Sequence, residues 1–190
     1  SDIGELYDTR SGVEQSKEYA RLANEATDKL FECLHPTMAK IRGVCVGGGL
    51  EIASMCDVRI CSSDSRFGLP INRIGLTVDY DELAPLCDLV GRRVAPEILL
   101  GAEEALTKGL VSRVVAPEEL DGEVEASVNR ILRSAPLVNR WHKAFVRRLG
   151  DPTPLSEAER QEPFRCYETE DYIEGTHAFV EKRRPKFTGR

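Results

Sequence analysis

The chain has 190 residues, enough for a domain with a substantial hydrophobic core. Hydrophobic residues make up 41% and charged residues 31%, proportions typical of a globular protein in water. The formal net charge of −6 argues against a nucleic-acid partner, which requires a positive surface. The sequence has no apolar run of the length that spans a bilayer, so we expect no membrane partner.

The cysteines and histidines lack the spacing of metal sites. The six cysteines are Cys33, Cys45, Cys56, Cys61, Cys87 and Cys166. They form no CxxC pair, and most have apolar neighbours, as Cys45 has in Val44 and Val46. We therefore predict reduced thiols in a cytoplasmic protein and no metal site.

The N-terminal half alternates helix and strand patterns. Apolar residues at helical spacing predict a helix over residues 15–34, which His35-Pro36 ends. Residues 38–46 favour a strand, because Val44 and Val46 are β-branched. Three glycines follow, Gly47–Gly49, and residues 50–56 are a plausible helix.

The middle of the chain continues the alternation. Residues 58–61 alternate like a strand, and residues 67–70 indicate a turn-bearing connection. Residues 81–90 and 95–110 favour helices, and residues 111–115 favour a short strand. The pattern predicts an α/β domain.

The last third is predicted to be helical. Helical patterns cover residues 118–134, 137–149 and 154–178, before a basic tail, residues 181–190. We therefore divide the chain into a core, residues 1–125, and a C-terminal helical region, residues 126–190.

The glycine run is the candidate site. Glycines that end a strand and open a helix expose backbone N–H groups, which attract negative charge. No Lys follows and the G-x-G-x-x-G spacing is absent, which leaves a site for a developing oxyanion such as a thioester enolate. Glu51 in the first helical turn is placed to move a proton. On the run alone, the favoured interpretation is tight packing at the glycines, with Glu51 only favouring the helix start, because glycine triplets are weak signals.

Longer segments resemble, in order, the signature blocks of the crotonase (enoyl-CoA hydratase/isomerase) superfamily. They are Lys40–Asp57, Arg66–Pro70, Lys108–Val115 and Glu174–Phe187. The resemblance covers nearly the whole chain. It implies the crotonase fold, stacked β-β-α turns with a C-terminal helical trimerisation region, in a homotrimer or hexamer. It also implies a coenzyme A thioester as substrate and no separate cofactor.

The resemblance assigns roles to residues of the glycine run. It implies that Gly48 donates one N–H of the oxyanion hole and that Glu51 is the first catalytic carboxylate. Ser1-Asp2-Ile3 is similar to the end of the family's upstream segment, which implies that Ser1 is the second donor. The family's strand-rich region before this point is absent, and a few residues are missing near Gly101, so we expect that the sequence omits residues.

One catalytic position departs from the hydratase pattern. Ile71 stands where the second hydratase glutamate is expected, directly after Pro70. Eight positions later comes Asp79, which is similar in place to the proton-transferring aspartate of dienoyl-CoA isomerases and to the nucleophile of an aromatic acyl-CoA dehalogenase. Glu51 and Asp79 are therefore a candidate acid/base pair. The alternative for Asp79 is a solvated loop carboxylate.

The C-terminal segment carries the implied coenzyme A contacts. Phe179 and Lys182 match positions that contact the adenine and phosphates, often in a neighbouring subunit, and Arg183, Arg184 and Lys186 add positive charge. The alternatives are core packing for Phe179 and a solvated face for Lys182.

Three functions stay open on the sequence. The first is an enoyl-CoA hydratase that uses Glu51 with a substitute partner. The second is an enoyl- or dienoyl-CoA isomerase that uses Glu51 and Asp79. The third is an acyl-CoA-binding protein without catalysis, which Ile71 permits.

Overall fold

The first elements of the chain are a long helix and two short strands. The computed structural model describes residue 4 and residues 12–95 and 99–190. Helix α1 (Val13–Phe31) agrees with the predicted helix, but Leu22 on its apolar side is 53% exposed. The single strand predicted over residues 38–46 is instead β1 (Met38–Ile41) and β2 (Val44–Val46). They separate at Gly43, whose φ of 68° favours glycine.

Helix α2 and the strands that flank it follow. Helix α2 (Gly48–Met55) begins directly after β2 and buries Leu50 and Ala53. Strand β3 (Val58–Ser62) agrees with the predicted strand, whereas β4 (Arg66–Gly68) occupies residues that the sequence indicates as a turn. The turn prediction was wrong because β4 has only three residues and depends on pairing with neighbouring strands for its conformation.

The next segment contains a second corrected prediction. A 3₁₀-helix (Pro70–Ile74) and helix α3 (Tyr80–Val90) precede β5 (Leu99–Gly101), α4 (Ala102–Thr107) and β6 (Arg113–Val115). The prediction of one helix over residues 95–110 was wrong. Residues 99–101 are extended because Leu100 pairs with Phe67 of β4 and is buried beside it.

The strands form two small sheets. The first is parallel with the order β1-β3-β6. In the second, of order β2-β4-β5, β2 is parallel and β5 antiparallel to β4. A shared core of buried side chains includes Ile41, Leu50, Phe67, Leu86, Leu100 and Leu110.

The C-terminal part is helical, as predicted. It contains α5 (Leu120–Leu132), α6 (Pro136–Arg148), α7 (Glu157–Gln161), a 3₁₀-helix (Glu162–Glu168) and α8 (Glu170–Val180). The chain divides into two compact units. The first holds the described residues up to Cys33 and Thr37–Asp121, and the second holds Leu34–Pro36 and Gly122–Arg190. Across the described ranges, we find no helix with the length and apolarity of a membrane span.

The six cysteines, all within the described ranges, are thiols rather than disulfides. Cys45 and Cys61 are buried in the core of the first unit. Burial raises the pKa of both thiols, that of Cys61 to about 11, so both stay protonated at neutral pH.

Arg59 is a buried cation that ties α2 to the sheet. Its side chain lies on β3, is 5% exposed and donates from Nε to the carbonyl of Leu110 at 2.6 Å. Its Nη1 donates to the carbonyls of Ala53 and Cys56 at the end of α2. Burial lowers the pKa of Arg59, which nevertheless remains protonated, and its guanidinium adds a donor to two carbonyls at the helix end, of which that of Ala53 also accepts from the N–H of Cys56.

Gly47 makes the junction between β2 and α2. Its φ of 53° and ψ of −131° lie outside the regions open to residues with a Cβ. Its N–H donates to the carbonyl of Gly68 at 3.0 Å, and its carbonyl accepts from Leu50 at 2.8 Å and from Glu51 at 3.1 Å. One residue therefore ends the strand ladder and starts the helix.

Replacing Arg59 with Met should lower the free energy of unfolding by about 2–4 kcal/mol, because three backbone carbonyls lose a charged donor. Urea unfolding followed by circular dichroism measures it. Arg66→Met, at an exposed position of β4, is the control and should change stability by less than about 0.5 kcal/mol. An equal loss of stability in both variants would show that the hydrogen bonds of Arg59 do not stabilise the fold.

Replacing Gly47 with Ala should destabilise the protein by about 1–3 kcal/mol, because an L-residue is strained at this φ and ψ. Gly49→Ala is the matched control. Gly49 lies in α2, and a Cβ added there would approach no atom of a more distant residue within 4 Å, so stability should be unchanged or rise by up to about 1 kcal/mol. A Gly47→Ala protein as stable as wild type would contradict the strain argument.

Candidate functional site

Gly48 and Glu51 form the centre of the candidate site. Both lie in the first turn of α2, and Glu51 is half-buried. A Cβ added to Gly48 would lie 3.6 Å from Oε2 of Glu51. The Glu51 carboxylate is therefore folded back over the backbone of Gly48, so a group held at Gly48 lies close to a carboxylate that is chemically able to accept a proton.

The backbone N–H groups at the start of α2 differ in whether they have a hydrogen-bond acceptor. Leu50 and Glu51 donate to the carbonyl of Gly47, and Gly47 donates to Gly68. Gly48 and Gly49 are exposed, and within residues 12–95 and 99–190 we find no acceptor for their N–H groups. Two donors at the positive end of a helix dipole thus point outward, as an oxyanion requires.

Asp79 lies at the start of α3, a helix that contacts α2. It is the N-cap, and its Oδ1 accepts from the backbone N–H of Glu82 at 2.8 Å, while Glu82 completes a capping box. Its Oδ2 accepts from the side-chain amide of Asn24 at 3.2 Å. The description as a solvated loop carboxylate was therefore wrong, because the side chain is half-buried and bonded at both oxygens.

Asn24 is the residue of this region that no sequence pattern indicated. It lies on α1, 55 positions before its partner Asp79. The available signal was weak: Asn is an unfavourable residue within a helix, so its presence in the middle of α1 hints at another role. The long separation explains why no spacing rule found the pair.

The other positions that the sequence singles out lie on different elements of the chain or outside the described residues. Ile71 is half-buried in the 3₁₀-helix, where it offers no proton-transferring group. Ser1, the expected second donor, lies outside the described residues. Phe179 and Lys182 belong to the second unit.

In the second unit, Phe179 and Lys182 lie at the C-terminal end of α8. Phe179 is 86% exposed, so the alternative of core packing was wrong. Lys182 has a φ of 56°, and among the described non-glycine residues this positive φ is unique to it. The N–H of Lys182 donates to Phe179, and that of Arg183 donates to Ala178. These two bonds form a Schellman cap, in which the position of Lys182 is usually glycine.

Comparison with known proteins gives a consistent result. The family model described as enoyl-CoA hydratase/isomerase matches residues 1–190. The short-chain-enoyl-CoA hydratase of Clostridium acetobutylicum is 32% identical over 191 residues, covering 97% of this chain and 72% of the relative. The crotonyl-CoA hydratase of Syntrophomonas wolfei is 35% identical over 182 residues, covering 91% and 69%.

A solved structure also resembles the chain closely. The crystal structure of an enoyl-CoA hydratase/carnithine racemase from Magnetospirillum magneticum matches with a TM-score of 0.96 at 45% identity. The match covers 100% of this chain and 73% of that one. The crotonase-like α/β fold and the acyl-CoA type of activity that the sequence segments implied are thereby confirmed. The chain belongs to the enoyl-CoA hydratase/isomerase family.

Proposed function

We propose that the site binds the thioester carbonyl of an acyl-CoA at the N–H of Gly48 and that Glu51 moves a proton at the neighbouring carbon. The observation that carries this proposal is the position of the Glu51 carboxylate over the exposed start of α2. Negative charge that develops on the carbonyl oxygen is stabilised by the N–H groups, while the carboxylate accepts or returns the proton. Ser1 is the proposed second donor.

The proposed reaction is that of an enoyl-CoA hydratase or isomerase in which Glu51 is the principal acid/base group. Ile71 cannot polarise a water molecule, so the two-glutamate hydration mechanism would need another partner. Asp79 is the candidate for that partner or for the second group of an isomerase. The two oxygens of Asp79 accept hydrogen bonds from the Glu82 N–H and the Asn24 side-chain amide, so a role in proton transfer would require at least one of these bonds to change.

Coenzyme A is the proposed ligand of Phe179 and Lys182. An exposed aromatic ring suits the adenine, and a cation suits a phosphate. Within the described parts of the chain, no carboxylate pairs with the Lys182 ammonium group, so its charge remains available to an anion. The strained backbone at Lys182 supports a functional role, since such strain persists mainly at functional sites.

We propose a homotrimer or hexamer in the cytoplasm, without a separate cofactor. The apolar side chains left exposed along α8, such as Ile173 at 54% and Val180 at 79%, support a subunit contact. The reduced cysteines suit a reducing compartment.

Replacing Glu51 with Gln should lower kcat by about 100- to 10,000-fold, because the amide keeps the shape but cannot carry the proton. KM should change little. Hydration of crotonyl-CoA and isomerisation of a 3-enoyl-CoA, measured side by side, show which reaction the wild type performs. Wild-type activity in the Glu51→Gln protein would refute the assignment.

Asp79→Asn is the matched comparison for Glu51→Gln. Asn is a good N-cap, so α3 should remain capped and the fold intact. We expect kcat to fall by less than about tenfold if Glu51 is the principal carrier. A fall in kcat as large as that of Glu51→Gln would instead show that Glu51 and Asp79 act together as the acid/base pair. Tight coenzyme A binding with no turnover in the wild type would favour the non-catalytic alternative.

Replacing Lys182 with Gly should raise stability by roughly 1 kcal/mol, because glycine is unstrained at this φ. The same change should raise KM for acyl-CoA roughly tenfold through the lost cation. Lys182→Ala is the control: it loses the cation but keeps the strain, so KM rises equally without the gain in stability. Denaturant midpoints and initial rates measure both, and an unchanged KM would contradict the assignment.

A further inference from the structure

The tail after α8 is folded back onto that helix by two carboxylates. Asp171 is 3% exposed, and its carboxylate accepts from the N–H of Thr188 at 2.7 Å and of Gly189 at 3.0 Å. Its own N–H donates to the carbonyl of Arg190 at 3.3 Å. The far end of the tail is thus held at the first turn of α8.

The near end of the tail is held by Glu174, one turn further along α8. Its Oε1 accepts from the N–H of Lys186 at 2.7 Å, and its two oxygens bind the Arg183 guanidinium at 2.6 and 2.8 Å. These donors, the guanidinium first, hold the pKa of Glu174 at about 2, so the carboxylate is ionised at every working pH. We call Asp171, Glu174 and Arg183 the tail clasp.

Lys182 lies at the apex of this folded segment. The helix ends at Val180, and the chain reverses at Lys182 through its left-handed backbone before the clasp holds the following residues. Gly175 permits the close return, since a Cβ there would lie 3.3 Å from the Phe187 ring. The clasp therefore restrains the segment on one side of Lys182, and the helix restrains the other.

The charge of Arg183 is used within the clasp. Its guanidinium binds Glu174 through two nitrogens and Glu181 through Nε at 2.5 Å. Because two carboxylates neutralise its positive charge, the Arg183 guanidinium has little remaining attraction for a phosphate. The resemblance implies that Arg183 adds positive charge for the ligand, whereas its side-chain contacts here are with the carboxylates of Glu174 and Glu181.

We propose that the tail clasp positions Lys182 for the phosphates of coenzyme A, so that Glu174 and Arg183 are positioning residues that do not touch the ligand. The proposal rests on the function proposed above. A preformed site binds an anion more tightly because less conformational entropy is lost on binding. The clasp also offsets the tendency of a lysine to leave the left-handed conformation.

The test compares two substrates with the same acyl group, one on coenzyme A and one on N-acetylcysteamine, which lacks the nucleotide and its phosphates. Glu174→Gln should raise KM for the coenzyme A thioester roughly tenfold and leave kcat and the KM of the short thioester unchanged. Glu168→Gln, which removes an exposed carboxylate just before α8, is the control and should behave as wild type.

Two further variants separate positioning from direct binding. In the Lys182→Ala background, Glu174→Gln should not raise KM for the coenzyme A thioester any further, because Glu174 acts through Lys182. Arg183→Gln should reproduce the loss of Glu174→Gln. If Arg183 were itself a phosphate ligand, Glu174→Gln would release its guanidinium and lower KM for the coenzyme A thioester. A lowered KM in that variant would therefore overturn the proposal.

The remaining outcomes are equally decisive. Equal losses on both substrates, or additive losses with Lys182→Ala, would show that the clasp only stabilises the fold and would overturn the proposal. If Lys182→Ala itself leaves KM for the coenzyme A thioester unchanged, the function proposed for Lys182 fails first. The two failures are therefore distinguishable.

Discussion

The backbone of Gly47 is the constraint on which the candidate site depends. Its N–H completes the ladder between β2 and β4, and its carbonyl accepts the first helical bonds of α2. Only a residue without a Cβ adopts this φ and ψ without strain. Because the chain turns within one residue, the next two N–H groups point outward and Glu51 follows on the first turn. The geometry on which the proposed oxyanion site rests, two exposed N–H groups beside a carboxylate, is a consequence of that turn.

The opposite end of α2 is fixed by different chemistry. Arg59 brings a buried guanidinium to the carbonyls of Ala53 and Cys56, and it joins them to Leu110 from another part of the chain. A helix held at both ends keeps its first turn in place against the sheet. Such support matters for catalysis, since small displacements of a reacting group from its substrate reduce rates strongly.

The cations of the C-terminal unit differ in whether they pair with carboxylates. Carboxylates on α8 hold the tail through its backbone N–H groups and through Arg183, whereas Lys182 stays outside these ion pairs. Counting the basic residues of the tail therefore overstates the positive charge offered to a ligand. The hydrogen-bond partners of each cation, which depend on how the tail folds back, decide which of them can act on a phosphate.

The order of residues along the chain was enough to establish the family, through segments such as Lys40–Asp57, and most long helices, through their 3.6-residue periodicity. It also singled out Gly48 and Glu51, because a glycine run and the next carboxylate are adjacent in sequence. Three-dimensional packing was needed to show that β4 and β5 are strands, that Asn24 binds Asp79, and that Arg183 belongs to the clasp. Those features depend on partners distant in sequence, and no local pattern records a contact that forms only when the chain folds.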